Sequence, residues 1–298
     1  MKKKLMLAVL CMTAMLSFTG CGKEEEVFTI AYAPNESTEQ SADARNGLAA
    51  DLEKELGMKV EEIQASDYTA IIEALRTGQA DMAYMGPLAI ALADERADIE
   101  PVAMKAEDGD KDKAIYHSLL ITNSQNTEIN SIEDVKGTSI AFVDPDSTSG
   151  NLVPTAEILK AFPDENLTSE DLHTNGKFFE AASYSGKHQA GLQAVIKGDV
   201  DVVPISDQIL ESEIANGNAA EEDIKIIHTS EAIPAEAMVV RSDLSAETKE
   251  KITNFLLSYD NQEYFELVIK NPTARFVECS MEDYEAIIEL NNLLNTEE

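Results

Sequence analysis

From Val27 onward the chain switches repeatedly between a period of two and a period near 3.6 in its apolar positions. Phe28-Thr29-Ile30-Ala31-Tyr32 reads as a short strand. Leu48, Leu52 and Leu56 recur at helical spacing across Ala42 to Leu56, and Gly57 stands where such a helix would stop. Met58 to Ile63 predicts a second strand, Tyr68 to Arg76 a helix ending by Gly78, and Asp81 to Met85 a third strand. The turn Gly86-Pro87 then leads into another helix through Ala93. A second series begins after Ile121, with a capped turn at Ser131 to Asp134, a strand at Ser139 to Val143 and a helix from Asn151 to Ala161. Segments at Phe178 to Ser183, Ala190 to Ile196, Val200 to Val203 and Gln208 to Ile214 continue the alternation. Ala237 to Arg241 predicts a late strand, and helices near Ala246 to Ser258, Gln262 to Ile269 and Tyr284 to Leu294 close the chain.

Strands separated by helices of this length imply βαβ units and a mainly parallel sheet. The order predicts an α/β protein of two lobes, with residues 27–118 and 240–298 in lobe one and 119–239 in lobe two. The chain would cross twice, near Ser118 to Thr122 and near Met238 to Val240. Two lobes joined by crossing strands leave a cleft, which is the expected ligand site.

The first residues change the picture of where this fold works. Lys2, Lys3 and Lys4 precede an apolar stretch from Leu5 to Phe18 and the small residues Thr19-Gly20 before Cys21. That core is too short for a membrane span, which needs about 20 residues, and reads as a signal peptide over 1–20. Phe-Thr-Gly-Cys resembles a bacterial lipobox, so Cys21 is the expected lipidation site and 21–26 a polar tether. The protein would then sit outside the cell, lipid-anchored to the membrane. Of Cys11, Cys21 and Cys279, one leaves with the signal and one is acylated, so no internal disulfide is available. The formal charge of −33 repels nucleic acid and anionic headgroups, which excludes both as partners.

The candidate chemistry is concentrated in Asp144-Pro145-Asp146-Ser147-Thr148-Ser149-Gly150-Asn151, between a predicted strand and a predicted helix. Three hydroxyls and the N–H groups of a helix start can cradle a tetrahedral oxyanion without lysine or arginine. An ordinary serine N-cap is the competing explanation. No zinc spacing, phosphate P-loop or nucleophile elbow appears, and Ser147 and Ser149 lack an evident base, which speaks against an enzyme. Asp108, Asp110 and Asp112 have the spacing of a calcium loop's first ligands, but the pattern fails at Lys113 and Leu119.

This string resembles the phosphate, phosphite and phosphonate substrate-binding family of ABC importers. Ser66-Asp67-Tyr68-Thr69-Ala70, Ala80 to Leu88, Ser185 to Ala190 with His188, and Gly198 to Val202 extend the likeness over most of the chain. The resemblance implies a two-lobed periplasmic-binding-protein fold of type II. It also implies a small oxyanion ligand, an ABC permease as partner, no cofactor and a monomer. It implies that Ser147, Thr148, Ser149 and backbone near Gly150 hold phosphoryl oxygens from lobe two, that Tyr68 donates from lobe one, and that His188 donates, more strongly when protonated. Asp207 and Glu236 would accept a proton from the ligand or pair with the ammonium of an aminoalkyl substituent. The family often has tyrosine where this chain has Ile90, so either a cleft hydroxyl is missing or Tyr84 or Tyr116 replaces it. A sensor lipoprotein of the same fold, or a carrier of a thiamine precursor, is the alternative. Only 6% aromatics and no tryptophan disfavour the latter.

Overall fold

The computed structural model describes residues 27–34 and 39–296, so the expected signal peptide, Cys21 and the tether lie outside the described residues. The chain runs β1 (Val27–Tyr32), β2 (Lys59–Gln64), β3 (Met82–Met85) and β4 (Ile99–Glu107), then the short β5 (Ile115–Tyr116). It continues through β6 (Ser118–Asn123), β7 (Ser139–Phe142), β8 (Ala181–Tyr184), β9 (Val202–Ser206) and β10 (Ile224–Thr229). The last three strands are β11 (Ile233–Pro234), β12 (Ala237–Arg241) and β13 (Ala274–Val277). One sheet has the order β13-β4-β12-β3-β1-β2, a second the order β10-β6-β9-β7-β8, and β5 and β11 pair as a two-stranded ribbon between them.

The helices form where the sequence pattern dictates. The helix Ala42–Leu56 buries Leu48 and Leu52 and ends at Gly57, whose φ of 70° closes the last turn by donating to the Glu53 carbonyl. The helix Tyr68–Arg76 starts on Asp67, whose carboxylate accepts the Ala70 N–H, and buries Ile71, Ile72 and Leu75 against the first sheet. The helix Ala246–Ser258 packs Ile252 and Leu256 on the opposite face, with Tyr264 and Phe265. Two further clusters fill the second lobe on either side of its sheet.

The sheets are mixed, which corrects the expectation of a mainly parallel one. β1 pairs in parallel with β2 and β3, but β12 runs antiparallel to β3 and β4, and β13 antiparallel to β4. In the second sheet β7 is parallel to β8 and β9, while β6 is antiparallel to β9 and β10. Each strand that enters a lobe from the other begins at the cleft edge, where the local strands end, so it pairs against their direction: Ala237 lies opposite Met85 and Ser118 opposite Ser206. β12 pairs along its whole length in the first sheet, so residues 237–239 sit with lobe one and the return crossing falls just before them. Among the described residues no helix is long and apolar enough to cross a membrane.

Candidate functional site

β7 ends at Phe142 and delivers the turn Asp144 to Gly150 to the edge of lobe two that faces lobe one. Ser147 caps the turn: its Oγ accepts the Gly150 N–H at 3.1 Å, and its own N–H reaches the Asp144 carbonyl at 3.0 Å. The helix opens with a wide turn, Thr148–Leu152, in π geometry before the regular helix Val153–Ala161. Pro154 falls in the first turn of that regular helix, where its missing N–H costs nothing. The extra residue in the turn widens it and leaves the N–H groups of Thr148 and Ser149 at the helix start, ahead of any carbonyl within the helix. The side chains of Ser147, Thr148 and Ser149 are all buried.

Gly150 backs this turn rather than lining the cavity. A β-carbon there would overlap Val143 and come within 2.7 Å of Ser147 Oγ, so only glycine lets the turn close. Its N–H is spent on Ser147, which moves the expected backbone donors one and two residues upstream, to Thr148 and Ser149.

The opposite wall comes from lobe one and the crossing ribbon. A cavity of about 30 Å³ is lined by Tyr68, Tyr84, Tyr116, Ser147, Thr148, Ser149, His188 and Glu236, together with Ala33, Gly86 and Ile209. Of the residues the sequence pointed to, Tyr68, Tyr84, Ser147, Thr148, Ser149, His188 and Glu236 therefore meet in one place. Tyr116 joins them, while Ile90 is buried in the lobe-one core. The lobes touch directly here. Thr148 Oγ1 accepts the Leu88 N–H at 2.9 Å, and Thr69 donates to Asp146 Oδ2 at 2.7 Å. Gly86 lies beside this contact, and a β-carbon there would meet Thr148 Oγ1 at 3.4 Å, an ordinary van der Waals distance.

Electrostatics separate the lining residues into donors and a counter-ion pair. Burial pushes the Tyr116 phenol well above its ordinary range, with Glu236 adding to the effect and the Ser149 and Thr148 side chains opposing it, so it stays protonated. His188 opens the helix His188–Lys197 with Nε2 3.5 Å from Ser149 Oγ. Burial lowers its pKa to about 4, only partly offset by a hydrogen bond to the Pro204 carbonyl. His188 is thus neutral at neutral pH, so any hydrogen bond it donates there comes from a neutral ring rather than the stronger protonated one.

The two carboxylates behave differently from the pair expected in the cleft. Asp207 is not among the lining residues. Its carboxylate accepts the His117 N–H at 3.0 Å and the Gln208 N–H at 2.7 Å, clasping the crossing to the start of the helix Asp207–Ala215. Burial raises its pKa, and those two bonds oppose the rise. Glu236 does face the cavity, but Lys105 Nζ lies 2.6 Å from its Oε2. The sequence reading missed Lys105. Its one visible signal is a lone lysine within the apolar run Pro101-Val102-Ala103-Met104-Lys105-Ala106.

Comparison with known proteins places this cleft in a family context. The family model described as ABC transporter, phosphonate, periplasmic substrate-binding protein matches residues 30–284. The phosphonates-binding periplasmic protein of Escherichia coli is 29% identical over 253 residues, covering 83% of this chain and 70% of the relative. The phosphate-import protein PhnD of Mycolicibacterium smegmatis is 27% identical over 243 residues, covering 81% and 74%. The solved binding component of a phosphonate ABC transporter from Pseudomonas aeruginosa superposes with a TM-score of 0.78 at 25% identity, covering 92% of this chain and 88% of that one.

Proposed function

This chain belongs to the periplasmic substrate-binding family of phosphonate ABC transporters, and from that footing we propose that its cleft captures a phosphorus oxyanion outside the cell and presents it to a permease. Members of this family bind a transport substrate and are not enzymes, and they work outside the cytoplasm. The observation that carries the ligand class is the convergence of Tyr68, Tyr116 and the Ser147, Thr148 and Ser149 turn, with a helix start, on one small cavity. Hydroxyls and first-turn N–H groups can follow the geometry of a tetrahedral anion, and being neutral they do not add to its desolvation cost. Lobe two offers the turn, and lobe one and the crossing ribbon offer the phenols. A ligand bound between them would gain from both only when the lobes are shut, so occupancy and closure are coupled.

Lipid attachment through Cys21 completes the proposal, because a binding subunit held at the membrane meets its permease without diffusing away. A Cys21→Ser protein should appear in the soluble fraction; retention in the membrane fraction would count against the anchor. For the ligand, calorimetry on protein stripped of bound anions, with phosphate, phosphite, methylphosphonate and 2-aminoethylphosphonate, is the direct test. Heat of binding with at least one is expected. Silence with all four would end the oxyanion reading.

A further inference from the structure

Among the described residues lining the cavity Glu236 is the sole carboxylate, and it is already answered from within the chain. Lys105 reaches it from near the end of β4, with a side chain only 5% exposed. Three contacts hold this lysine in place: the ion pair at 2.6 Å, the Tyr116 ring with Nζ 5.7 Å from its centroid, and a backbone bond from Lys105 N–H to the Glu236 carbonyl at 3.1 Å. Lys105 is buried and Glu236 is only 15% exposed, so each would be poorly hydrated if the other left. The other carboxylate expected in the cleft, Asp207, is spent on the His117 and Gln208 N–H groups.

We propose that Lys105 is a specificity residue: it supplies the cation for Glu236, so the cleft takes a phosphorus oxyanion with a small uncharged substituent and rejects aminoalkylphosphonates. The inference rests on the reading that this cleft holds a phosphorus oxyanion and narrows it to one class. A ligand ammonium would have to share Glu236 with Lys105, placing two cations against one carboxylate in a buried site, or expel Lys105 with no partner to receive it. The lining points the same way: Ala33 and Ile209 offer an apolar surface suited to a hydrogen or a methyl group. Selectivity then works by repulsion of the wrong ligand as well as by attraction of the right one.

The test is calorimetry on the purified protein, stripped of bound anions, with phosphite, methylphosphonate and 2-aminoethylphosphonate. The natural protein should prefer the better of the first two over 2-aminoethylphosphonate by at least about thirtyfold, since a like charge is being forced beside Lys105. In Lys105→Met, Glu236 is released and the ratio should move toward 2-aminoethylphosphonate by about tenfold or more. In Glu236→Gln the ratio should not move that way. Equal or tighter binding of 2-aminoethylphosphonate by the natural protein would overturn the assignment of Lys105 while leaving the oxyanion reading intact. An unchanged ratio in a folded Lys105→Met protein would do the same. If none of the three ligands binds, the oxyanion reading falls and this inference with it. Should Lys105→Met fail to fold, the natural protein's own ratio still decides.

Discussion

The two walls of the cleft are both electrically neutral, and they reach neutrality by opposite means. On the lobe-two side, Ser147 to Gly150 offers hydroxyls and helix-start N–H groups with no formal charge. On the crossing side, Lys105 and Glu236 offer two full charges that cancel each other. The dipolar wall can bend its donors toward any tetrahedral anion. The ionic wall is fixed by its own attraction and discriminates by what it refuses. In a chain of formal charge −33, this division would let the proposed anion enter a site that carries no net positive charge of its own.

The comparison can be broken hardest on the ionic side. Lys105→Met leaves a buried carboxylate without its partner and should destabilise the protein by on the order of 3–5 kcal/mol in denaturant unfolding. Lys105→Met combined with Glu236→Gln should recover a good part of that loss. If the double variant is no more stable than the single one, the pair is not the unit described here.

Acid should weaken the dipolar side through His188. Its folded pKa of about 4 lies below the ordinary value of 6.5, so between those limits the unfolded chain binds the proton more readily. The stability contributed by neutral His188 is complete above about pH 6.5 and falls on the order of 3 kcal/mol as pH drops to about 4. Half-buried Asp144 and Asp207, whose pKa values are raised, shift stability in the opposite direction with falling pH. The difference between the natural protein and His188→Gln isolates the histidine. Parallel stability curves from pH 7 to 4 would refute its neutral burial.

Overfilling the turn comes next. Gly150→Ala drives a β-carbon into Val143 and Ser147, and should cost about 1–3 kcal/mol in thermal or denaturant unfolding. The smallest change sharpens the contact between the walls. Thr148→Val removes the acceptor for the Leu88 N–H and should weaken ligand binding by roughly tenfold, a loss of about 1–1.5 kcal/mol. An unchanged affinity would mean that this interlobe bond does not hold the closed form together.

The same contrast explains which parts could be read from the residues alone. The Ser147–Gly150 turn is contiguous, so its chemistry and its place between strand and helix are visible in a few letters. The helices Ala42–Leu56, Tyr68–Arg76 and Ala246–Ser258 also emerge with their observed bounds, because each carries an apolar stripe and a cap or stop signal. The ionic wall joins residue 105 to residue 236 through the pairing of β4 with the stretch before β12, and no local pattern encodes that pairing. β4 itself escapes the reading because it is buried along nearly its whole length and carries Pro101 and Lys105, which blur any alternation. The antiparallel strands escape for a related reason: helix spacing reports that strands are separated, not from which lobe the next one arrives. Asp207 sits at the strand end where a ligand contact is expected, yet its carboxylate serves the crossing backbone.

The structure of the complex with methylphosphonate tests the central claim most directly. Phosphoryl oxygens should lie within hydrogen-bond reach of the Ser147 to Ser149 turn and of the Tyr116 or Tyr68 phenol, with Lys105 still paired to Glu236. Phosphorus bound outside this cage, or Lys105 turned from Glu236 onto the ligand, would contradict it.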